Sequence, residues 1–206
     1  MYTFPNLWHN ITYFAGWFNI LLYMIMILLV TNEYIYKTLR QNIIDGLSKA
    51  EVLLGKLLLG AAFSLYSTLL IVVVGLVTSY LFAPDSFQYE LIIQKLDFIG
   101  AYFLQTLGYM TFAIFISFLL KRQGFSIIFF LIYITMLENI VALKLPPNVS
   151  KYLPIEMFGN LILNPFSTYI NGYTQNSIDP SYIVISILYI FIFSGITLLM
   201  LEKTDI

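Results

Sequence analysis

Five long runs of apolar residues alternate with shorter polar segments along the chain of 206 residues. Each run approaches or exceeds the roughly 20 helical residues needed to cross the hydrocarbon core of a bilayer. The pattern therefore predicts an all-α fold, a polytopic transmembrane helix bundle that forms a single domain over residues 1–206. The five predicted spans are 11–30, 57–82, 98–120, 125–142 and 182–201.

The composition excludes a water-soluble globule. Hydrophobic residues make up 60% of the chain and charged residues only 10%, whereas soluble domains average about 45–50% and 25%. The net charge of −1 provides no basic field that would recruit nucleic acid. Because the chain has no cysteine and one histidine, disulfides and thiolate or multi-histidine metal sites within one chain are excluded. We interpret that histidine, His9, as an interfacial residue beside Trp8.

The lysine and arginine residues between the spans predict the orientation of the chain. Seven lie in the segment 31–56, the break 121–124 and the C-terminal tail, against three in the loop 83–97 and the segment 143–181. Cytoplasmic loops carry the excess of these residues, so we expect the N-terminus outside and the C-terminus in the cytoplasm. An outer N-terminus without a preceding helix is unusual. We therefore hypothesise that the reading frame lacks an opening span or starts at an internal methionine.

The long segment 143–181 combines five prolines with an apolar stretch at 154–163. Loops of this length without any secondary structure are uncommon. We therefore expect a short interfacial or partly inserted helix on the outer face, with Tyr152, Phe158 and Tyr169 at the level of the lipid headgroups. A plain outer loop is the alternative.

Charge is concentrated in the segment 31–56, which holds seven of the 21 charged residues. No Gly or Pro precedes Gly46 in this segment, so the first span can continue out of the membrane as a helix. Gly46 suits the left-handed conformation that ends a helix, and Ser48 with Glu51 fits a capping box at the next helix start. The segment predicts a helix, a tight break at 45–48 and a second helix that returns to the bilayer.

The residues alone leave two interpretations of this hairpin equally favoured, a docking site for a soluble partner and a solvated connection. Its sequence resembles the first cytoplasmic loop of the permease subunits of ABC-2 type transporters, which carry an acidic residue, a Thr-Leu-Arg element, a Ser-Arg or Ser-Lys pair and a Leu-Gly-Lys element. The corresponding residues are Asn32-Glu33, Thr38-Leu39-Arg40-Gln41-Asn42, Asp45-Gly46-Leu47-Ser48-Lys49-Ala50-Glu51 and Leu54-Gly55-Lys56.

The resemblance implies the membrane-spanning subunit of an ATP-driven exporter in the bacterial inner membrane. Its partners would be an ABC ATPase subunit, a second permease chain and membrane lipids. Family members usually have six spans, and their coupling helix, which contacts the ATPase, matches residues 33–51 here. Glu33, Lys37 and Arg40 would fix the hairpin or meet charged ATPase residues. Apolar side chains would fill a groove on the ATPase, namely Leu39, Ile43, Ile44 and Leu47.

No motif for covalent chemistry accompanies this hairpin. Gly46 and the pair Gly55-Lys56 superficially suggest a phosphate loop, but their spacing is too long and Leu57 stands where Ser or Thr is required. A different polypeptide would therefore have to hydrolyse ATP. We expect no catalytic residue, no metal, no cofactor and no nucleic-acid partner for this chain.

Polar residues inside the spans are the candidates for a translocation path: Ser64, Thr68, Gln105 and Glu138. Small residues let helices approach closely in lipid, which favours helix packing over a polar wall for the stripe in the second span. That stripe consists of Gly60, Ser64, Ser67, Thr68, Gly75, Thr78 and Ser79, and a weaker one in the third span consists of Gln105, Gly108 and Thr111.

Glu138 is the ionisable residue that lies well inside a predicted span, towards the outer leaflet. It is either part of a substrate path or proton relay, or an interfacial carboxylate beside Asn139, and we favour the second interpretation. Two further functions stay open as alternatives. One is a secondary transporter that relies on Glu138, and the other is a non-transporting membrane scaffold or assembly protein that docks through the hairpin.

Overall fold

The computed structural model describes residues 3–167 and 175–203, and within these ranges every regular element is helical. A 3₁₀ turn lies at Pro84–Ser86 and a π-helical turn at Tyr133–Leu137. The α-helices are α1 (Leu7–Phe18), α2 (Ile20–Ile35), α3 (Thr38–Ile44), α4 (Lys49–Phe82), α5 (Tyr89–Ile92), α6 (Asp97–Leu120), α7 (Gln123–Ile132), α8 (Glu138–Lys144), α9 (Pro147–Ser150), α10 (Pro154–Asn160) and α11 (Pro180–Lys203).

The predicted helical bundle is confirmed. Four helices are individually long and apolar enough to cross a membrane, namely α4, α6, the continuous α7–α8 and α11. Helices α1 and α2 pass the same test together and are bent by 40° at Asn19, which gives up to five. These apolar helices are typical of a multi-pass membrane protein. Helix α4 begins at Lys49, directly after the N-cap residue of the predicted capping box, and continues through the predicted span 57–82.

Helix α6 forms the centre of the bundle. It is the most buried of the membrane-length helices and packs against α11, α4, α2, α7 and α1. One hydrophobic cluster surrounds its second half, where Met110 and Phe112 meet side chains of α2, α7 and α11. A second cluster surrounds its first half, where Phe98 and Tyr102 meet α1 and α4.

The stripe of small residues in α4 is a packing face, as we favoured from its spacing. A Cβ atom at Gly60 would lie 3.5 Å from Met110 and Ile114 of α6. A Cβ atom at Gly75 would come within 2.7 Å of the Trp8 ring of α1, closer than such atoms approach in real structures. Most of the stripe is buried. The other side of α4 exposes large apolar side chains along its whole length, which requires apolar surroundings.

Helix α10 confirms a short helix in this segment in its partly inserted form, but corrects the expectation that Phe158 lies at headgroup level. Phe158 is fully buried, and its ring lies over Gly108 of α6, where a Cβ atom would come within 2.4 Å. Tyr152 is exposed, and its carbonyl accepts a hydrogen bond from the Tyr189 hydroxyl of α11 at 2.5 Å. The third residue of that expectation, Tyr169, lies outside the described residues. Helix α10 is therefore inserted into the bundle, because Gly108 provides the space for an aromatic ring.

A buried polar network joins the bend of the first span to α4 and α6. The Asn19 side chain donates to Thr106 Oγ1 at 2.9 Å and accepts from the Ser67 hydroxyl at 2.9 Å. Ser67 has one hydroxyl proton, so Tyr102 is the donor in the 2.7 Å contact between their hydroxyls. We call these four residues the Asn19 network. It ties three helices together at the point where the chain bends.

We expect Asn19→Leu to destabilise the bundle by about 1–2 kcal/mol, because two hydrogen bonds between helices disappear from a buried site. The matched control is Asn139→Leu, since Asn139 is exposed and its amide bonds only to the Thr135 carbonyl of its own helix. Unfolding of both variants in detergent micelles measures the difference. Equal stability of the two variants would contradict the role assigned to the Asn19 network.

Candidate functional site

The charged hairpin at 31–56 forms one end of the bundle, which we call the hairpin end. The tight break is confirmed, because Gly46 has a φ of 102° and α4 begins with the predicted capping box. Ser48 Oγ accepts from the Glu51 amide at 3.2 Å, and the Glu51 carboxylate accepts from the Ser48 amide at 2.8 Å. Glu51 lies before the predicted span, and its hydrogen bonds from Ser48 hold the pKa of its carboxyl below the ordinary value.

The first half of the hairpin differs from the expected continuous helix. Helix α2 ends at Ile35, and Lys37 adopts a left-handed conformation with a φ of 58° before α3 begins at Thr38. This break lets α3 turn back against α2 and α4. No Gly or Pro marks this break in the sequence, because a lysine occupies the left-handed position.

An ion pair closes the hairpin. Lys56 at the start of α4 donates to the Glu33 carboxylate near the end of α2, and both side chains are largely buried. Lys121, after α6, places its ammonium 5.7 Å from the centre of the Tyr34 ring. These contacts fix the hairpin to α4 and to the turn between α6 and α7. Glu33 therefore has a partner within the chain, which favours the first of its two implied roles, fixing the hairpin.

The four apolar residues that the resemblance assigns to the ATPase groove differ in their exposure to solvent. Leu39 is only 2% exposed and packs inside the chain, which corrects the expectation that it reaches a partner. Ile43 is half-buried, whereas Ile44 is 68% exposed and Leu47 is 45% exposed. Arg40 is also exposed. Together with Lys37, which is exposed, these side chains form a surface of two apolar residues flanked by basic residues.

The same end of the bundle gathers the segments that are rich in Lys and Arg. The Lys49 ammonium donates to the Glu202 carbonyl at the end of α11, at 3.2 Å. The hairpin, the break after α6 and the C-terminal end of α11 therefore lie together. These are the segments that the charge count placed on one side.

The remaining connections gather at the opposite end. The Trp8 indole donates to the Ile92 carbonyl at 2.8 Å, and a His9 ring nitrogen pairs with the Leu163 carbonyl at 2.8 Å. Lys95 donates to the Asn6 side chain at 2.9 Å. His9 and Trp8 are adjacent at this end, but both are buried in the bundle rather than exposed. Because its ring nitrogen bonds to a backbone carbonyl, His9 has a structural partner.

The four candidates for a translocation path lie in different environments. Ser64 and Thr68 are buried between α4 and its neighbours, and their hydroxyls donate to Gly60 and Ser64 carbonyls of their own helix at 2.9 and 2.7 Å. Gln105 instead lines a cavity and donates to the Phe158 carbonyl at 2.9 Å. The structure therefore does not bring these polar groups together into one continuous wall.

Glu138 directly follows the π-helical turn Tyr133–Leu137 and is buried. Its Oε1 atom accepts from the Glu156 amide in the first turn of α10 at 2.7 Å. Its second oxygen has no hydrogen-bond partner among the described residues. Glu138 therefore differs from the exposed Asn139 beside it, because it connects α8 to the inserted helix α10.

We expect Glu138→Gln to keep the stability of the chain within about 0.5 kcal/mol, because the amide oxygen can still accept from Glu156. Glu138→Leu should be less stable by about 1–3 kcal/mol, because it leaves that buried amide without an acceptor. Unfolding in detergent micelles compares the two variants. If the Glu138→Leu and Glu138→Gln variants are equally stable, the hydrogen bond does not hold α10 in place.

Glu138→Gln also tests the proton-carrier role. If this variant leaves transport unchanged at every pH tested, that role is excluded.

Two features of the structure had no counterpart in the sequence-based predictions. The Asn19 network was missed, although Asn19 is an amide in the middle of an apolar run and such residues in lipid need partners. The cavity beside Gln105 was also missed. Tyr13, Trp17 and Tyr23 belong to the first span and Tyr109 to the third, so no local pattern indicated that the two spans meet around a cavity.

Comparison with known proteins identifies a family for nearly the whole chain. A family model described as "Protein of unknown function (DUF2705)" matches residues 2–206. No curated protein and no solved structure matches the chain. The matched region includes the hairpin, the Asn19 network and the cavity.

Proposed function

The chain belongs to the DUF2705 family, and we propose that it is the membrane-spanning permease subunit of an ATP-driven transporter of the ABC-2 type, working as an exporter. It carries no ATPase motif, so a separate ATPase subunit supplies the energy. Two permease chains assemble with the ATPase in the bacterial inner membrane. The chain itself performs no covalent chemistry.

The observation that carries this proposal is the geometry of the hairpin. Ile44 and Leu47 are exposed at the hairpin end, while the pair of Glu33 and Lys56 fixes the hairpin to the start of α4. Large apolar side chains in water are unfavourable unless a partner covers them. A push on α3 would reach α4, because the short turn at Gly46 connects the two helices and they pack against each other. The resemblance of residues 32–56 to a coupling segment agrees with this arrangement.

The contacts at the two ends of the bundle support the proposed topology. Segments with excess Lys and Arg meet at the hairpin end, and the others meet at the opposite end. Together with the charge count, this arrangement supports a topology in which the hairpin and the C-terminus are cytoplasmic and the N-terminus is outside. The chain has no cysteine, so a single Gly124→Cys variant provides a clean test, because Gly124 is exposed at the break after α6, lies outside the docking hairpin and has no atom within 4 Å of a Cβ position. A membrane-impermeant thiol reagent should label it only after the cytoplasmic face is opened, and labelling of intact cells would overturn the topology.

Co-purification tests the proposed partner. The full chain, extracted in mild detergent, should retain a P-loop ATPase encoded beside it, and this complex should depend on the hairpin. A scaffold or a secondary transporter would be purified without such an ATPase. Recovery of the folded chain alone, after co-expression with the neighbouring ATPase, would contradict the proposal.

A further inference from the structure

A cavity of about 510 Å³ lies between α1, α2, α6, α10 and the π-helical turn. This volume falls within the range of about 300–1,000 Å³ that is typical of sites for small molecules. Four aromatic side chains from three helices form much of its lining, namely Tyr13, Trp17, Tyr23 and Tyr109. The cavity is open on one side, so it is a pocket in the flank of the bundle rather than an enclosed void.

The polar groups that the described residues contribute to the cavity are all uncharged. Among these residues, no Asp, Glu, Lys, Arg or His lines it. Gln105 supplies an amide whose nitrogen is held by the Phe158 carbonyl at 2.9 Å. Its Oε1 atom is directed towards α1, 3.6 Å from the position of a Cβ atom at Gly16. A charged ligand would lose its hydration here without gaining a counter-charge, so the lining selects a neutral molecule.

The mouth of the cavity opens on the apolar flank of the bundle. Trp17 is 71% exposed, and Thr135 of the π-helical turn is also exposed. Tyr23 and Ile162 are buried and close the inner side. Gly16 is close to the bend at Asn19, near the middle of the first span. Gln105 and Thr135 also lie well inside the helices that are long enough to cross a membrane. A ligand therefore reaches the cavity from the lipid rather than from water.

We propose that this cavity binds an uncharged amphipathic molecule that enters from the membrane. Its apolar body packs against the aromatic side chains, and its polar group bonds to Gln105. The inference depends on the shape and chemistry of the lining, and it holds whether or not the chain works with an ATPase. Its test therefore uses the isolated chain, so that a failure of the transport proposal does not affect the result.

Two glycines keep the cavity open and provide variants that fill it. A Cβ atom at Gly159 would meet no other atom within 4 Å, and one at Gly16 would make ordinary contact with Gln105. Gly159→Leu and Gly16→Leu therefore fill the cavity from two different helices without a backbone clash. Gly195→Leu in α11 is the matched control, because a Cβ atom there also meets nothing within 4 Å and Gly195 does not line the cavity.

Photolabelling of the full chain in phosphatidylcholine nanodiscs tests the proposal. The probe is a long-chain alcohol that carries a diazirine, and mass spectrometry of peptides locates the adducts. We expect adducts on the peptides that contain Trp17 and Tyr109, and competition by unlabelled alcohol. Their yield should fall about tenfold in either filled variant and stay unchanged in Gly195→Leu. An alkyl sulfate of the same length and with the same diazirine should label these peptides about tenfold less.

Three results would overturn the proposal. Equal labelling of these peptides and of the exposed face of α4, without competition, would indicate simple partition into the bilayer. Unchanged labelling in Gly16→Leu and Gly159→Leu would show that the cavity does not hold the probe, and the second variant decides the question if the first one fails to fold. Equal labelling by the alkyl sulfate would exclude a site that selects neutral molecules.

Discussion

Gly108→Ala should destabilise the chain by about 1–3 kcal/mol, because the added Cβ atom would lie 2.4 Å from the Phe158 ring. Phe158 is fully buried, and its ring packs against the rings of Tyr109 and Tyr189, which restrict its movement. Gly100→Ala should instead increase the stability of the chain. Gly100 lies on the same helix, is exposed and has no atom within 4 Å of a Cβ position. Alanine there should stabilise α6 by about 0.5–1 kcal/mol through its helix propensity.

The measurement is reversible unfolding of the two variants in detergent micelles. Phe158→Leu in the Gly108→Ala background should recover part of the lost stability, because the smaller side chain makes room for the methyl group. Equal effects of alanine at positions 100 and 108 would contradict the packing of the Phe158 ring against Gly108.

Truncation of the exposed apolar residues of the hairpin should weaken ATPase binding most strongly. We expect Ile44→Ala or Leu47→Ala to raise the dissociation constant about 30-fold, equivalent to about 2 kcal/mol for an apolar anchor at the centre of an interface. Lys49→Ala should have a much smaller effect, because the half-buried Lys49 donates to the Glu202 carbonyl within the chain and is not part of the exposed apolar surface of α3. Binding of the purified ATPase to the immobilised full chain measures these constants.

Leu143→Ala is the matched control for these truncations. Leu143 is 87% exposed and belongs to the opposite end of the bundle, so its truncation removes a similar apolar side chain outside the docking surface. Its variant should bind the ATPase as the unmodified chain does. Equal losses from Leu47→Ala, Lys49→Ala and Leu143→Ala would refute the assignment of α3 as the docking element.

The features that were predictable from the sequence depend on neighbouring residues. Prediction of the spans required only the length of each apolar run. Prediction of the break at Gly46 and of the cap formed by Ser48 and Glu51 required residues three or fewer positions apart. Such signals are complete within a short window of the chain. For this reason the bounds of the long helices agree with the hydrophobic pattern, apart from the earlier start of α4 at Lys49.

The features that were not predictable depend on contacts between distant segments. Phe158 enters the bundle only because Gly108, fifty positions earlier, leaves space for its ring. Leu39 is buried because Lys37 adopts a left-handed conformation that turns α3 back, and such a conformation is costly for a residue other than glycine. No local pattern indicated either arrangement. The sequence therefore predicted which segment forms the candidate site. Only the fold showed which residues of that segment are exposed.

The central claim is that the hairpin couples this chain to an ATPase, and the most direct measurement is the rate of ATP hydrolysis in proteoliposomes. The P-loop ATPase that co-purifies with the chain is assayed alone, with the full chain, and with the Ile44→Ala and Leu47→Ala double variant. We predict that the full chain stimulates hydrolysis and that the double variant, although folded, does not. A rate that is the same with and without the full chain would contradict the account.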